Sequence, residues 1–300
     1  MTSLQITVPV PYDFDACLRG HGWRWLAPFS PNEEGVTRVE RLQSGRVIQM
    51  AIREGEEGET VRVHVDQPLT EAEETELKQE ASWMLRLDED LAPFYEMCVE
   101  RGGRYAAVIG HGRLLRSPTL FEDAVKVLFT TNTTWRQTKQ MTARTVEGLG
   151  APHPTLPETA EVRHAFPEPA AVMEAGVAFF RDHVRAGYRA DYVVALAERA
   201  EELEALRERA SVEDALPTDE LRKRLLSFRG IGPYAAATLL MLLGRYDYLA
   251  IDSEVRAFTS RHYFDGRTGS NAEIRALYEV WGPWKYLAYA LDSGPGRDEA

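Results

Sequence analysis

The residues best arranged for chemistry lie between Asp219 and Phe258. Helical periodicity up to Phe228 gives way to Arg229-Gly230-Ile231-Gly232-Pro233, then to the apolar run Tyr234–Leu243, then to Ile251-Asp252-Ser253. Two glycines two positions apart between helices permit a tight hairpin whose backbone N–H groups converge beside the second helix's N-terminus. Such a nest suits a phosphate oxygen, and backbone amides hold it without reading sequence. Pro233 fits the first turn of the following helix, where its missing N–H costs nothing. Asp252 stands twenty positions beyond Gly232, at the start of the helix expected from Ser253. A carboxylate there caps the helix and is itself held in place. The plain alternative is an ordinary helix-to-helix turn followed by an ordinary N-cap.

Hairpin, interval and aspartate together resemble the helix-hairpin-helix plus Gly/Pro-Asp (HhH-GPD) signature of the base-excision DNA glycosylases. Three further segments are similar to that superfamily: Arg116-Ser-Pro-Thr-Leu-Phe-Glu-Asp-Ala-Val, Gly187-Tyr-Arg-Ala-Asp-Tyr-Val, and Trp281-Gly-Pro-Trp-Lys-Tyr-Leu-Ala-Tyr. The likeness is nearest to the 3-methyladenine (AlkA-type) and 8-oxoguanine branch, which carries an additional N-terminal β domain. It implies that Gly230, Ile231 and Gly232 grip double-stranded DNA and that a damaged base is flipped out before it is cut. Cleaving the N-glycosidic bond develops positive charge on the sugar. The resemblance makes Asp252 the carboxylate that stabilises this charge and orients or deprotonates the attacking water.

Bifunctional members of the superfamily carry a lysine two residues after the hairpin's second glycine, for a Schiff base with the sugar. This chain has Tyr234 there, and no lysine between Lys223 and Lys285. A monofunctional enzyme that leaves an intact abasic site is therefore expected. An aromatic ring at 234 suits an electron-poor alkylated purine. Trp281 and Trp284 are further candidates for the base pocket, although their place on an amphipathic helix favours a core. The resemblance puts Asn132, with Thr133, where relatives fill the space left by the flipped nucleotide. Capping the helix from Trp135 is the other reading of Asn132. Arg136, Arg229 and Arg256 are candidate phosphate contacts. A glycosylase for oxidised or deaminated bases (8-oxoguanine, hypoxanthine, uracil) and a non-catalytic DNA-binding module are the alternatives.

The formal net charge of −12 runs against a DNA-binding protein, which needs Lys and Arg to neutralise phosphates. The charge is uneven, however. Residues 1–100 contain 9 Lys+Arg against 20 Asp+Glu, whereas residues 101–150 contain 8 against 3. Local field, more than the total, steers a polyanion. Two cysteines, Cys17 and Cys98, fit a reducing compartment and cannot supply a four-cysteine iron–sulfur cluster. The seven histidines show no metal-ligand spacing. No metal and no cofactor is expected, although a monovalent cation at the hairpin carbonyls is compatible with the resemblance. Met1–Asp13 shows no signal-peptide pattern, and no apolar run is long enough to cross a bilayer. The expected protein is cytoplasmic, nucleoid-associated in a prokaryote, without membrane contact, and by resemblance a monomer.

The elements that position these residues read as α+β. Strand-like runs occur at Leu4–Val8, Thr37–Leu42, Gly45–Arg53 and the strictly alternating Thr60–Val65, with a solvated loop at 53–59. Thr70 opens an acidic helix. Helices are then expected at Leu91–Arg101, Thr119–Phe129, Trp135–Leu149, Pro169–His183, Ala190–Leu203, Asp219–Phe228, Tyr234–Leu243, Ser253–Tyr263 and Ala272–Ala290. The proline-rich Ala151–Pro157 reads as a loop and hinge. The expected organisation is an antiparallel β domain with helices at 1–85 (TBP-like by resemblance) and an all-α, two-subdomain HhH-GPD core. Residues 86–117 plus 246–300 form the subdomain closing the cleft, and 118–245 the one containing the hairpin.

Overall fold

The computed structural model describes residues 2–210 and 215–294. Five strands, β1 (Thr2–Thr7), β2 (Phe29–Asn32), β3 (Gly35–Arg41), β4 (Val47–Glu54) and β5 (Thr60–Val65), form one antiparallel sheet in the order β1-β5-β4-β3-β2. The described residues also form thirteen α-helices, so the chain is α+β. Alternation sets the buried face: Val61, Val63 and Val65 of β5 and Ile48, Met50 and Ile52 of β4 all point into the core. Strand β2 was not expected, because Phe29-Ser-Pro-Asn carries a proline and no alternation. It lies at the sheet edge, where a proline is tolerated.

The chain divides into two compact units, Met1–Asp88 with Arg113–Glu204, and Glu89–Gly112 with Ala205–Ala300. The hairpin falls in the second unit with the C-terminal helices, whereas the sequence grouped it with residues 118–245. Among the described residues no helix is long and apolar enough to cross a membrane.

In the first unit, a buried charge cluster locks β3 to the helix Leu120–Thr130. The Arg38 guanidinium donates to both oxygens of Glu122, at 2.9 and 2.7 Å, and also to Glu40. Lys126 Nζ donates to Glu122 Oε1 at 2.6 Å and to Ser117 at 3.2 Å. Burial alone would push the Glu122 carboxyl up, but Arg38 and Lys126 overcome it and hold it at about 2. Asp123 beside it accepts from Trp23 Nε1 at 2.8 Å and from the Ser117 amide at 3.0 Å. The acidic helix Glu71–Met84 opens as expected, with a capping box formed by Thr70 and Glu73.

The proline-rich segment does not behave as a hinge between units. Pro152 is bridged to His164, the His153 amide donates to Arg163 O at 2.7 Å, and Ala165 N donates to Ala151 O at 3.0 Å. All of it lies inside the first unit. The helix expected at Ala190–Leu203 is two, Arg189–Ala197 and Ala200–Ala210, separated where the Arg199 amide bonds one residue short, to Leu196. The helix expected at Pro169–His183 carries non-helical Gly176 at φ 66°. Ala272–Ala290 is likewise interrupted: Asn271–Tyr278 is followed by a tight 3₁₀ stretch containing Gly282 at φ 55° and Pro283, then by Lys285–Ser293.

The second unit has its own polar hub. Asp292 is fully buried and accepts from the hydroxyls of Tyr278 (2.9 Å), Tyr105 (3.3 Å) and Tyr263, with Arg104 as its counter-charge. Three segments thus converge on a carboxylate carried by a fourth, which fixes Lys285–Ser293 against Ser253–Tyr263.

Candidate active site

The hairpin forms between the helix Thr218–Leu225 and the helix Pro233–Leu242. Leu221, Leu225, Phe228 and Ile231 are buried beneath it, so Ile231 anchors the turn through its side chain. Gly230 sits at φ 91°, a left-handed conformation that a side chain would strain. The Ile231 amide closes the turn on Phe228 O at 3.1 Å. Gly232 is the N-cap of Pro233–Leu242 and offers no side-chain cap; a Cβ there would meet nothing within 4 Å. The helix start therefore faces open space, as an anion site at a helix N-terminus requires.

Asp252 is the N-cap of Ser253–Tyr263, and its Oδ1 accepts from the Val255 amide at 2.9 Å. Cap and candidate catalyst are one residue: Oδ1 is spent on the helix, and Oδ2 has no hydrogen-bond partner among the described residues. The side chain is half-buried. On Lys285–Ser293, Tyr289 is pushed up to about 12, first by burial and then by the charges of Asp252 and Glu254 and by Tyr234. Asp252, Tyr234 and Tyr289 therefore share one electrostatic neighbourhood. Tyr289 also packs edge-on against Phe258, at 5.8 Å between ring centroids. Sequence reasoning did not single out Tyr289, because its only signal was a place in the Trp281–Tyr289 segment.

Trp281 is corrected from pocket to core. It is 2% exposed, with Phe94 at 5.9 Å, Tyr105 at 4.8 Å and the Arg101 guanidinium 4.2 Å from its ring, so neither face is open to a base. Trp284 is half-buried against Phe94 and Tyr246, at 5.6 and 5.9 Å. Arg256 is engaged with Asn271 and Gly269 O, which leaves it tied to its own loop. Arg229 is exposed beside the hairpin turn.

Asn132, Thr133 and Arg136 belong to the first unit. The helix Trp135–Leu149 is capped by Thr134, in a capping box with Gln137, and not by Asn132. Asn132 is instead exposed at φ 46°, and its Nδ2 donates to the Tyr188 hydroxyl at 3.2 Å. Arg189 holds the turn from the other side, donating to Thr131 O at 3.1 Å and Asn132 O at 3.0 Å. The Gly187-Tyr-Arg-Ala segment thus presents the Asn132 turn. Thr133 donates to Gln137 at 3.0 Å, and Arg136 is exposed in the first turn of the helix. Among the described residues no three His, Cys, Asp or Glu side chains form a metal-sized group.

No protein-family model and no curated protein matches the sequence. Solved structures do match. The 3-methyladenine DNA glycosylase of Archaeoglobus fulgidus aligns over 96% of this chain and 97% of its own, with TM-score 0.76 at 20% identity. The apo 8-oxoguanine glycosylase/lyase of Clostridium acetobutylicum aligns over 97% and 94%, with TM-score 0.68 at 17% identity. MBOgg1, in complex with a low-affinity DNA ligand, aligns over 98% and 94%, with TM-score 0.67 at 19% identity. The chain has the fold of these DNA glycosylases, over nearly its whole length.

Proposed function

We propose that this chain is a base-excision DNA glycosylase that hydrolyses the N-glycosidic bond of a flipped damaged purine, with Asp252 as the catalytic carboxylate. The observation that carries this reading is the state of Asp252. It is fixed by its cap to Val255, keeps Oδ2 uncommitted, and acts electrostatically on the Tyr289 phenol. The shared fold supports the same class of reaction.

On this reading, the hairpin amides and the start of Pro233–Leu242 take a phosphate of double-stranded DNA, and the lesion leaves the stack. As the bond to the base lengthens, positive charge grows on the sugar. A carboxylate already immobilised pays little reorganisation to stabilise that charge, and its free oxygen can orient the attacking water. Tyr234 offers an aromatic face to the base, and a cationic alkylated purine gains most from it. The reaction needs no cofactor. The five-stranded sheet corresponds to the TBP-like extra domain of the 3-methyladenine and 8-oxoguanine branch.

Strand cleavage is not expected, since Tyr234 stands where bifunctional relatives carry their lysine and Lys285 is paired with Glu279 at 2.9 Å. The Asn132-Thr133-Thr134 turn and the likeness to an 8-oxoguanine glycosylase/lyase favour an oxidised purine as a second reading.

The test is base release from duplexes carrying alkylated adenine or guanine, hypoxanthine, uracil or 8-oxoguanine, with and without alkali, for wild type and Asp252→Asn. Release that needs Asp252, with breaks only after alkali, is the expected outcome. Breaks without alkali would overturn the monofunctional assignment. Duplex binding with no release from any lesion would leave a DNA-binding module.

A further inference from the structure

The described residues expose two tryptophans, Trp25 at 48% and Trp135 at 40%, and both lie in the first unit on one patch. A Cβ placed on Gly22 would sit 3.0 Å from the Trp135 ring, so the indole rests directly on the loop that leads into Trp25. One helical turn beyond Trp135 on the same face, Lys139 brings its Nζ to 5.9 Å from the Trp25 ring centroid. Arg24 lies over that ring at 5.2 Å. Arg136, the residue after Trp135, is exposed.

The patch is rigid beneath. Trp23, two residues before Trp25, is buried and donates to Asp123, and the Trp25 amide closes its turn on Gly22 O at 3.0 Å. Trp135 is the first residue of a helix whose cap is complete. Two large aromatics are thus held out to solvent at little cost in order. No ion pair joins Arg24, Arg136 or Lys139 to a carboxylate among the described residues. Asp15, whose charge reaches Arg24, is itself paired with Arg19 at 2.6 Å.

We propose that Trp25 and Trp135, rimmed by Arg24, Arg136 and Lys139, form a second DNA contact that stacks unpaired bases of a strand. Exposed indoles flanked by unneutralised cations match a polymer that presents π-faces and phosphates at every residue, and stacking of this kind tolerates any base sequence. A protein partner would need an acidic counter-surface. For nucleic acid the three cations are already complementary, in a chain whose net charge is −12. The lysine and arginine now lying against the Trp25 ring are on flexible stems and turn outward to phosphates as bases take their place. The acidic N-terminal third would then touch DNA through this one corner. The proposal rests on DNA being the ligand, but it is independent of the lesion and of Asp252.

The experiment is titration of the full chain with a short lesion-free oligothymidylate, followed by tryptophan fluorescence and anisotropy. The proteins are wild type, Trp25→Ala/Trp135→Ala, Trp25→Phe/Trp135→Phe and Lys139→Ala. The expected result is quenching in wild type, roughly tenfold or greater loss of affinity in the double alanine variant, and recovery in the double phenylalanine variant. Lys139→Ala should lower the salt dependence of binding. Melting temperature and lesion-duplex base release, read in the same variants, establish that the fold and the Asp252 site are intact. Oligothymidylate affinity in the double alanine variant within twofold of wild type would overturn the proposal. So would a change in oligomeric state with no change in that affinity, which would assign the patch to protein contact. Failure of wild type to bind any DNA would overturn the glycosylase reading together with this one.

Discussion

Oδ1 of Asp252 accepts the Val255 amide at 2.9 Å, so the carboxylate proposed to stabilise the sugar cation also starts the helix behind it. The two duties can be separated. Asparagine caps as well as aspartate, but it carries no charge. Asp252→Asn should therefore melt close to wild type, while base release falls by roughly two to three orders of magnitude. Asp252→Ala should lose the same activity and about 1 kcal/mol of stability in addition. Thermal melting alongside single-turnover base release distinguishes them. Equal destabilisation by both variants would mean that the cap is not what the side chain supplies.

At the hairpin, Gly230 occupies φ 91°. Gly230→Ala should cost about 1–2 kcal/mol in the folded state and displace the turn's amides. Urea denaturation and duplex affinity should both weaken, and a variant that loses neither would show that the turn has no such demand.

The buried cluster of the first unit makes Glu122 a balancing charge for Arg38 and Lys126. Glu122→Gln keeps the shape but leaves Lys126 without its carboxylate and Arg38 with Glu40 alone, so a loss of roughly 3–5 kcal/mol is expected in urea denaturation. Under acid the same group acts in one direction. Its folded-state value is about 2 against an ordinary 4.5, so its contribution is present above 4.5 and disappears as the pH falls toward 2.

His21 supplies a separate acid response. It is bonded to Leu115 O, which accepts only, so Nε2 carries the proton of the neutral ring; Nδ1 is buried with no hydrogen-bond partner among the described residues. Burial pushes its pKa down to about 3. Between about 6.5 and 3 the unfolded chain binds a proton that the folded chain refuses, so stability falls as the pH falls. The slope approaches about 1.4 kcal/mol per pH unit. His21→Phe should flatten stability between pH 6.5 and 4.5, above the range where Glu122 acts. An unchanged slope in chemical denaturation across that interval would reject the assignment.

What could be read from the residues alone was whatever local periodicity and end signals decide. Thr60–Val65, Trp135–Leu149 and Ser253–Tyr263 fall where alternation, amphipathicity and caps put them. The aspartate and the hairpin were legible because both are local devices with fixed chemistry. Other features were not local. Trp281 reads as pocket or core from its spacing, and only Phe94, Tyr105 and Arg101, distant in sequence, decide for the core by enclosing it. Asn132 and Thr134 are both good caps on composition, and only the geometry of the turn assigns the cap to Thr134. The nearness of Tyr289 to Asp252 depends on two helices meeting around Asp292, a buried carboxylate that no pattern in the chain announces.

Strand β2 has a bearing beyond its role in the sheet. It is four residues long, lies at the edge, and places Pro31 opposite Val36. Proline survives in a ladder where its absent N–H faces away from the neighbouring strand, and there it denies an incoming chain one of the donors needed for pairing. On that flank the sheet resists growth into a shared β-structure with a second molecule. A sheet whose other edge is β1 is thereby protected from templating its own aggregation along one of its two edges.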